Sequence, residues 1–263
     1  MTLSASALRD RIESDDDALS LRDVPDFAIT ELGLRGVAIQ ASQLAGLGIQ
    51  DLEQIRDSAD KASCPVLLLV EDTPLSFGDP SEATQEMIRS RIQRLGVAAT
   101  ALGASSVGVS CDGEDDEARF DQAAVSIRNA MQMIDRHEVN LLLSPRKGLT
   151  GDPERLTELI KKVGGFRIGS LPDFKLAHET GDFVSALRRL APYAGAMFAT
   201  LGNGKKKSDL APYPLDEGLE AVLAVGYQNT ICLHHEGPGD AVAAISSARE
   251  RLISVLEVDD EKD

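Results

Sequence analysis

Short apolar runs alternate with longer stretches of helical periodicity along this chain, and that alternation constrains the fold more than any other feature. Eight runs read as strand cores: Ala18–Arg22, Gly36–Gln40, Val66–Val70, Ser106–Ser110, Asn140–Leu143, Arg167–Leu171, Ala196–Thr200 and Thr230–His234. Helix-start signals stand between them, with Asp23 before Val24-Pro25, Ser81 before Glu82, Asp152 before Pro153 and Asp240 before the last helix. From Pro153 to Val163, Leu156, Leu159, Ile160 and Val163 recur at i, i+3, i+4 and i+7, so one face packs on the sheet. Glu154, Arg155, Glu158, Lys161 and Lys162 then face water, and Gly164-Gly165 ends the helix.

Parallel strands joined by helices need right-handed crossovers, and eight such units are enough to close a ring. The expected fold is therefore α/β, a single (β/α)8 TIM barrel over residues 1–263, with 1–17 as an N-terminal extension against the barrel bottom and 256–263 as an acidic tail. A length of 263 residues suits such a barrel, and no Pro/Gly/Ser-rich linker divides the chain. Apolar residues make up 43% but aromatics only 4%, so the core is built of Leu, Val, Ile and Ala, as in strands buried on both faces. No Gly-x-Gly-x-x-Gly follows a strand, which speaks against a dinucleotide-binding sheet.

The net charge of −16 would repel phosphate backbones, so nucleic acid is not an expected partner. Acids concentrate in Asp112–Glu117 and in Glu257–Asp263, which read as solvated faces or frayed ends. Cys64, Cys111 and Cys232 form an odd, unclustered set that fits a reducing, cytoplasmic compartment. No basic patch leads into an apolar stretch at the amino terminus, and no apolar run approaches the ~20 residues that span a bilayer. No membrane partner is expected.

Residues at the carboxyl ends of barrel strands line the active site of such folds. Side chains alternate along a strand, so an inward His234 brings Cys232 and Glu236 to the same face and turns His235 out. The mouth then holds Gln40, Glu71 or Asp72, Ser110, Ser144, Asp173, Thr200, His234 and Glu236. Asp173, His234 and Glu236 are the candidates for proton transfer or metal binding. Arg146 and Lys147 after the fifth strand, and Lys205-Lys206-Lys207 after the seventh, could hold or steer an anionic ligand. Ser144, Thr200 and Gln40 complete the expected substrate-binding set. His178 is a loop histidine without an evident partner, and His137 ends a helix where a cation suits the dipole.

Three segments carry a family resemblance: Gly148–Leu156 (GLTGDPERL), Ile168–Phe174 (IGSLPDF) and Gly226–Asp240 (GYQNTICLHHEGPGD). Together with the pattern from about Leu21 to Leu252, they make the chain resemble the xylose isomerase-like barrels, which include sugar phosphate isomerases and epimerases and the endonuclease IV fold. The resemblance implies a divalent cation held by Glu, Asp, His and Glu from four successive strand ends, with the two Glu also moving protons beside a carbonyl. Mapped onto this chain, the first Glu position is Ser144, followed by Pro145 where an Asn is usual. Asp173 matches, the His position is Phe198 with Thr200 where a Lys is common, and the second Glu position is His234. Asp173, even joined by Glu236, offers a hard cation fewer oxygens than the family set, and a serine is no carboxylate-like base near neutral pH. His234 is left as a single base.

The expected function is thus a divergent sugar or sugar-phosphate isomerase/epimerase homologue with a degraded metal site and no cofactor. A divalent metal such as Mn²⁺ or Zn²⁺ at Asp173, His234 and Glu236 is the alternative for the site. A non-enzymatic carbohydrate-binding or regulatory pseudoenzyme is the alternative for the function, and an endonuclease IV-like nuclease fits the charge least. The expected partner is a small carbohydrate or sugar phosphate.

Overall fold

The computed structural model describes residues 1–12, 19–202 and 210–260. Its strands are β1 Thr2–Ser4, β2 Val37–Gln40, β3 Val66–Val70, β4 Ser106–Ser110, β5 Asn140–Ser144, β6 Ile168–Ser170, β7 Ala196–Leu201 and β8 Thr230–His235. Its helices are α1 Arg9–Ile12, α2 Val24–Thr30, α3 Ile49–Lys61, α4 Glu82–Leu102, α5 Glu117–Ile134, α6 Pro153–Val163, α7 Phe174–Glu179, α8 Phe183–Leu190, α9 Leu215–Leu223 and α10 Ala241–Asp260. All strand pairs are parallel, in the order β6-β5-β4-β3-β2-β1-β8-β7. Isolated parallel bridges, Ser170 to Ala194 and Asp173 to Phe198, close the ring between its two ends. The result is a (β/α)8 barrel.

The first strand differs from the sequence expectation. Thr2–Ser4, not Ala18–Arg22, pairs with both β2 and β8, so the segment read as an N-terminal extension opens with a strand of the barrel itself. Residues 21–23 form a turn in which Asp23 Oδ2 accepts from the Ser20 N–H at 3.2 Å, and Ala18 lies outside the described residues. β1 has a physical reason to be inconspicuous. It is three residues long, and only Leu3 faces the helices, while Thr2 and Ser4 carry hydroxyls into the ring. Leu19 and Leu21 still bury part of their surface against the outer core.

Two apolar layers result. The larger lies between sheet and helices and includes Leu3, Leu69, Leu141, Leu143, Ile127 and Leu156. The smaller fills the ring with Ala38, Leu68, Leu142, Leu171, Ala196 and Cys232, with Val70 and Phe198 packed on it. Leu142 fits because Gly195 has no side chain: a Cβ there would stand 2.7 Å from Leu142 Cδ2. Cys64, Cys111 and Cys232 are buried and free. Among the described residues no helix is long and apolar enough to cross a membrane.

α6 shows how local signals anchor the outer layer. Leu156, Leu159, Ile160 and Val163 are all buried, and Asp152 Oδ1 accepts from the N–H groups of Glu154 at 2.8 Å and Arg155 at 2.9 Å. Asp152→Ala orphans both donors, so a loss of about 1 kcal/mol is expected in urea unfolding. An unchanged midpoint would deny the cap its role. Arg155 spans to the preceding unit, pairing with Asp115 at 3.0 Å and Glu117 at 2.8 Å over the Phe120 ring. The acidic run is therefore not merely a solvated face: Asp116 caps α5, and its neighbours clamp α5 to α6. Asp23 precedes α2 but makes no side-chain cap bond to it.

Candidate active site

The ring-filling residues fix what faces the mouth, because each has a same-face neighbour two positions later. Beyond Ala38 stands Gln40, beyond Leu142 Ser144, beyond Leu171 Asp173, beyond Phe198 Thr200, and beyond Cys232 His234. Thr200 and His234 are register partners in β7 and β8, and Asp173 bridges to Phe198.

Asp173 is the N-cap of α7 and is recessed in the mouth. Its Oδ1 accepts from the Lys175 backbone N–H at 2.8 Å and its Oδ2 from the Thr200 hydroxyl at 2.5 Å. Burial pushes the carboxyl up to about 6, against the opposing pull of the Thr200 and Lys175 bonds and of His234, while Glu236 adds to the rise. Thr200 is itself held, since the buried Tyr213 hydroxyl donates to its carbonyl at 3.0 Å.

His234 sits between a hydroxyl and a carboxylate. Its Nδ1 is 3.3 Å from Ser6 Oγ, which is 2.8 Å from Ser4 Oγ, and its Nε2 is 3.7 Å from Glu236 Oε1. The ring stands edge-on to Phe198, with centroids 6.4 Å apart. Glu236 also accepts from the Lys175 ammonium at 2.6 Å. His234 and the Lys175 hydrogen bond hold the Glu236 carboxyl down to about 2, outweighing its burial. At 3.7 Å the His234 contact is electrostatic rather than a hydrogen bond. A polar chain thus runs Ser4, Ser6, His234, Glu236, Lys175, and Asp173 joins it through the Lys175 backbone.

Several other expected residues are engaged away from this polar chain. Glu71 turns outward and is buried against Arg91 of α4, accepting also from the Thr73 N–H at 2.9 Å, because β3 ends at Val70 and Glu71 continues its outer face. Asp72 is exposed and accepts from the Ser42 N–H at 2.7 Å. Gln40 Oε1 accepts from Arg9 at 3.3 Å. Arg146 is exposed and 3.9 Å from Asp112, and Lys147 is exposed. Among the described residues no hydrogen bond or ion pair joins either to Asp173, His234 or Glu236. Lys205-Lys206-Lys207 lies outside the described residues.

The remaining histidines stand outside this polar chain. His178 packs edge-on to Phe183 with centroids 5.6 Å apart. His137 accepts or donates at 2.8 Å to Thr100 Oγ1, and burial and Arg136 lower its pKa, so the expected helix-end cation is disfavoured. His235, pointing away from His234, is lowered by burial. Sequence reasoning missed Lys175, Ser4, Ser6 and Tyr213. Lys175 had a signal in its position two residues past Asp173, whereas the serines were hidden with β1.

Among the described residues no three or more His, Cys, Asp and Glu side chains are grouped to hold a metal ion. The carboxylates of the expected trio are engaged by protein donors: both Asp173 oxygens accept hydrogen bonds, and Glu236 accepts from the Lys175 ammonium.

No family model and no curated protein sequence matches the chain. Solved structures do match. An L-ribulose 3-epimerase superposes with a TM-score of 0.80 at 14% identity, covering 100% of this chain and 96% of that one. The fold is the xylose isomerase-like (β/α)8 barrel. A D-psicose 3-epimerase from Clostridium cellulolyticum H10, determined with D-tagatose, follows at 0.76 and 13% identity over 98% of this chain and 96% of its own. A xylose isomerase domain protein from Alicyclobacillus acidocaldarius reaches 0.70 at 17% identity over 97% of both chains.

Proposed function

We propose that this chain is a divergent homologue of the sugar isomerases and epimerases that binds a small carbohydrate at the barrel mouth and moves a proton there with His234, without a divalent metal. Sugar epimerases among its structural neighbours, acting on L-ribulose, D-psicose and a 3-keto-D-glucoside, support the substrate class. The observation that carries the metal-free reading is the partnering of Asp173 and Glu236 by protein donors: a cation would have to displace the Thr200 proton and the Lys175 ammonium.

The reaction class follows from the number of bases. Epimerisation by two bases needs one group on each face of the carbon beside the carbonyl, and Ser144 cannot be the second near neutral pH. One base suffices for a 1,2 shift. In the neutral tautomer whose Nδ1–H donates to Ser6, His234 presents the Nε2 lone pair as the base, and the cation formed when Nε2 takes a proton is the form that Glu236, 3.7 Å away, attracts. Nε2 takes the proton from the hydroxyl-bearing carbon, the C–H electrons form the enediol double bond as the carbonyl π electrons move to oxygen, and the proton of the original hydroxyl passes to that oxygen; Nε2 then returns its proton to the former carbonyl carbon while the original hydroxyl oxygen becomes the new carbonyl. Aldose and ketose interconvert with no net redox change.

A second reading, carbohydrate binding without turnover, is favoured by the mutual satisfaction of Asp173, Glu236 and Lys175. NMR of a ketose and aldose panel in D₂O with the EDTA-treated protein separates them. Deuterium incorporation beside the carbonyl that His234→Ala abolishes supports the proposal. Saturable binding without exchange supports the second reading. Exchange that needs added Mn²⁺, or no sugar binding at all, overturns the proposal.

A further inference from the structure

We infer that the Lys175 ammonium is the resident cation of the mouth: it compensates the carboxylates, keeps divalent metals out and receives a ligand oxygen. Two bonds from one residue fix it there. The Lys175 backbone N–H is held by Asp173 Oδ1 at 2.8 Å, and its Nζ reaches Glu236 Oε2 at 2.6 Å, so a single residue bridges carboxylates from β6 and β8. Neither end of the ion pair is a free surface group, with side-chain exposures of 28% and 43%.

An ammonium carries three donors, and among the described residues Glu236 is its one side-chain hydrogen-bond partner. The other two N–H bonds are available to oxygens of a bound carbonyl or hydroxyl. A divalent ion on Asp173, His234 and Glu236 would have to strip Glu236 from Lys175 and leave a like charge beside it. Lys175 stands two residues past Asp173 in the first turn of α7, and from there its ammonium reaches Glu236.

The role toward a ligand oxygen rests on the proposed function, whereas metal exclusion does not, and the test uses Mn²⁺ alone. Electron paramagnetic resonance titration of free Mn²⁺ is expected to show no binding by the wild type or Lys175→Arg at millimolar protein. Lys175→Gln, which removes the charge and keeps most of the length, is expected to bind one Mn²⁺ at least tenfold more tightly than the wild type. Adding Glu236→Gln to it should abolish that gain. Lys175→Ala, checked for folding by circular dichroism, serves as the second neutral variant. Stoichiometric Mn²⁺ on the wild type, or no gain in either folded neutral variant, overturns the inference. Gained Mn²⁺ affinity in a protein that binds no sugar would sink the proposed function and leave this inference standing. Sugar binding by the wild type with unchanged Mn²⁺ affinity in the variants would do the reverse.

Discussion

Gly202→Ala is expected to destabilise the protein by about 3 kcal/mol or more and to lower Tm by roughly 6–12 °C. Gly202 ends β7 with φ +87°, in the left-handed region, and a Cβ there would lie 2.0 Å from the carbonyl oxygen of Glu236. That contact is with backbone, so no rotamer change relieves it. The surroundings are also tied down: Gly202 N–H donates to Leu210 O at 2.7 Å, and Glu236 N–H donates to Leu201 O at 3.0 Å. The chain must therefore shift Glu236 away from β7, which also pulls its carboxylate from Lys175 and His234. Thermal unfolding measures the stability loss, and carboxyl ¹³C NMR should show the Glu236 titration move up from about 2 toward its ordinary range. A variant with wild-type Tm and an unmoved Glu236 titration would contradict the close approach.

Asp173→Asn is expected to stabilise the protein at pH 7.5 and to leave it unchanged near pH 4. An unfolded Asp titrates near ~3.9, whereas burial raises the folded carboxyl to about 6. Between these values the folded chain holds a proton that the unfolded chain releases, so stability falls as pH rises from about 4 through 6. The loss is complete above 6 and is on the order of 2–3 kcal/mol. Asparagine keeps the N-cap acceptor for the Lys175 N–H, and the Thr200 hydroxyl can rotate to accept from its amide. It removes only the ionisation. Glu236 has the opposite sign: its carboxyl is lowered to about 2, so its contribution is present above ~4.3 and lost as pH falls toward 2, outside the Asp173 window. The difference in Tm between variant and wild type across pH 4–8 reads Asp173 alone, and parallel curves would refute the raised carboxyl.

The arrangement of Asp173 joins these expectations to the proposed chemistry. A carboxyl raised toward the working pH range is a feature of functional sites, and at Asp173 burial is what raises it. The mouth retains polar groups in a ring whose interior is otherwise Ala, Leu and Cys.

What could be read from the chain follows local physics. The i, i+3, i+4, i+7 pattern of Leu156, Leu159, Ile160 and Val163 marks a buried helical face because 3.6 residues per turn puts those side chains on one stripe. The runs at Val66–Val70 and Asn140–Ser144 mark strands because they are buried on both faces and need no partner to be recognised. β1 has no such signature. Thr2 and Ser4 turn hydroxyls inward, where Thr230 and Ser6 supply the partners, and those lie 228 and two residues away. The outward turn of Glu71 was equally invisible, since its partner Arg91 sits on a helix packed from the other side.

The sequence by itself determined seven of the eight strand–helix units, the helix starts at Asp152 and Asp240, and the residue types at the strand ends, because each depends on neighbours within one or two turns. Only the tertiary structure decided that Lys175 lies on Glu236, that Ser6 backs His234 and that Thr200 holds Asp173. Those pairs join residues 61, 228 and 27 positions apart, and closure of the barrel, which no local pattern encodes, is what brings them within hydrogen-bond reach.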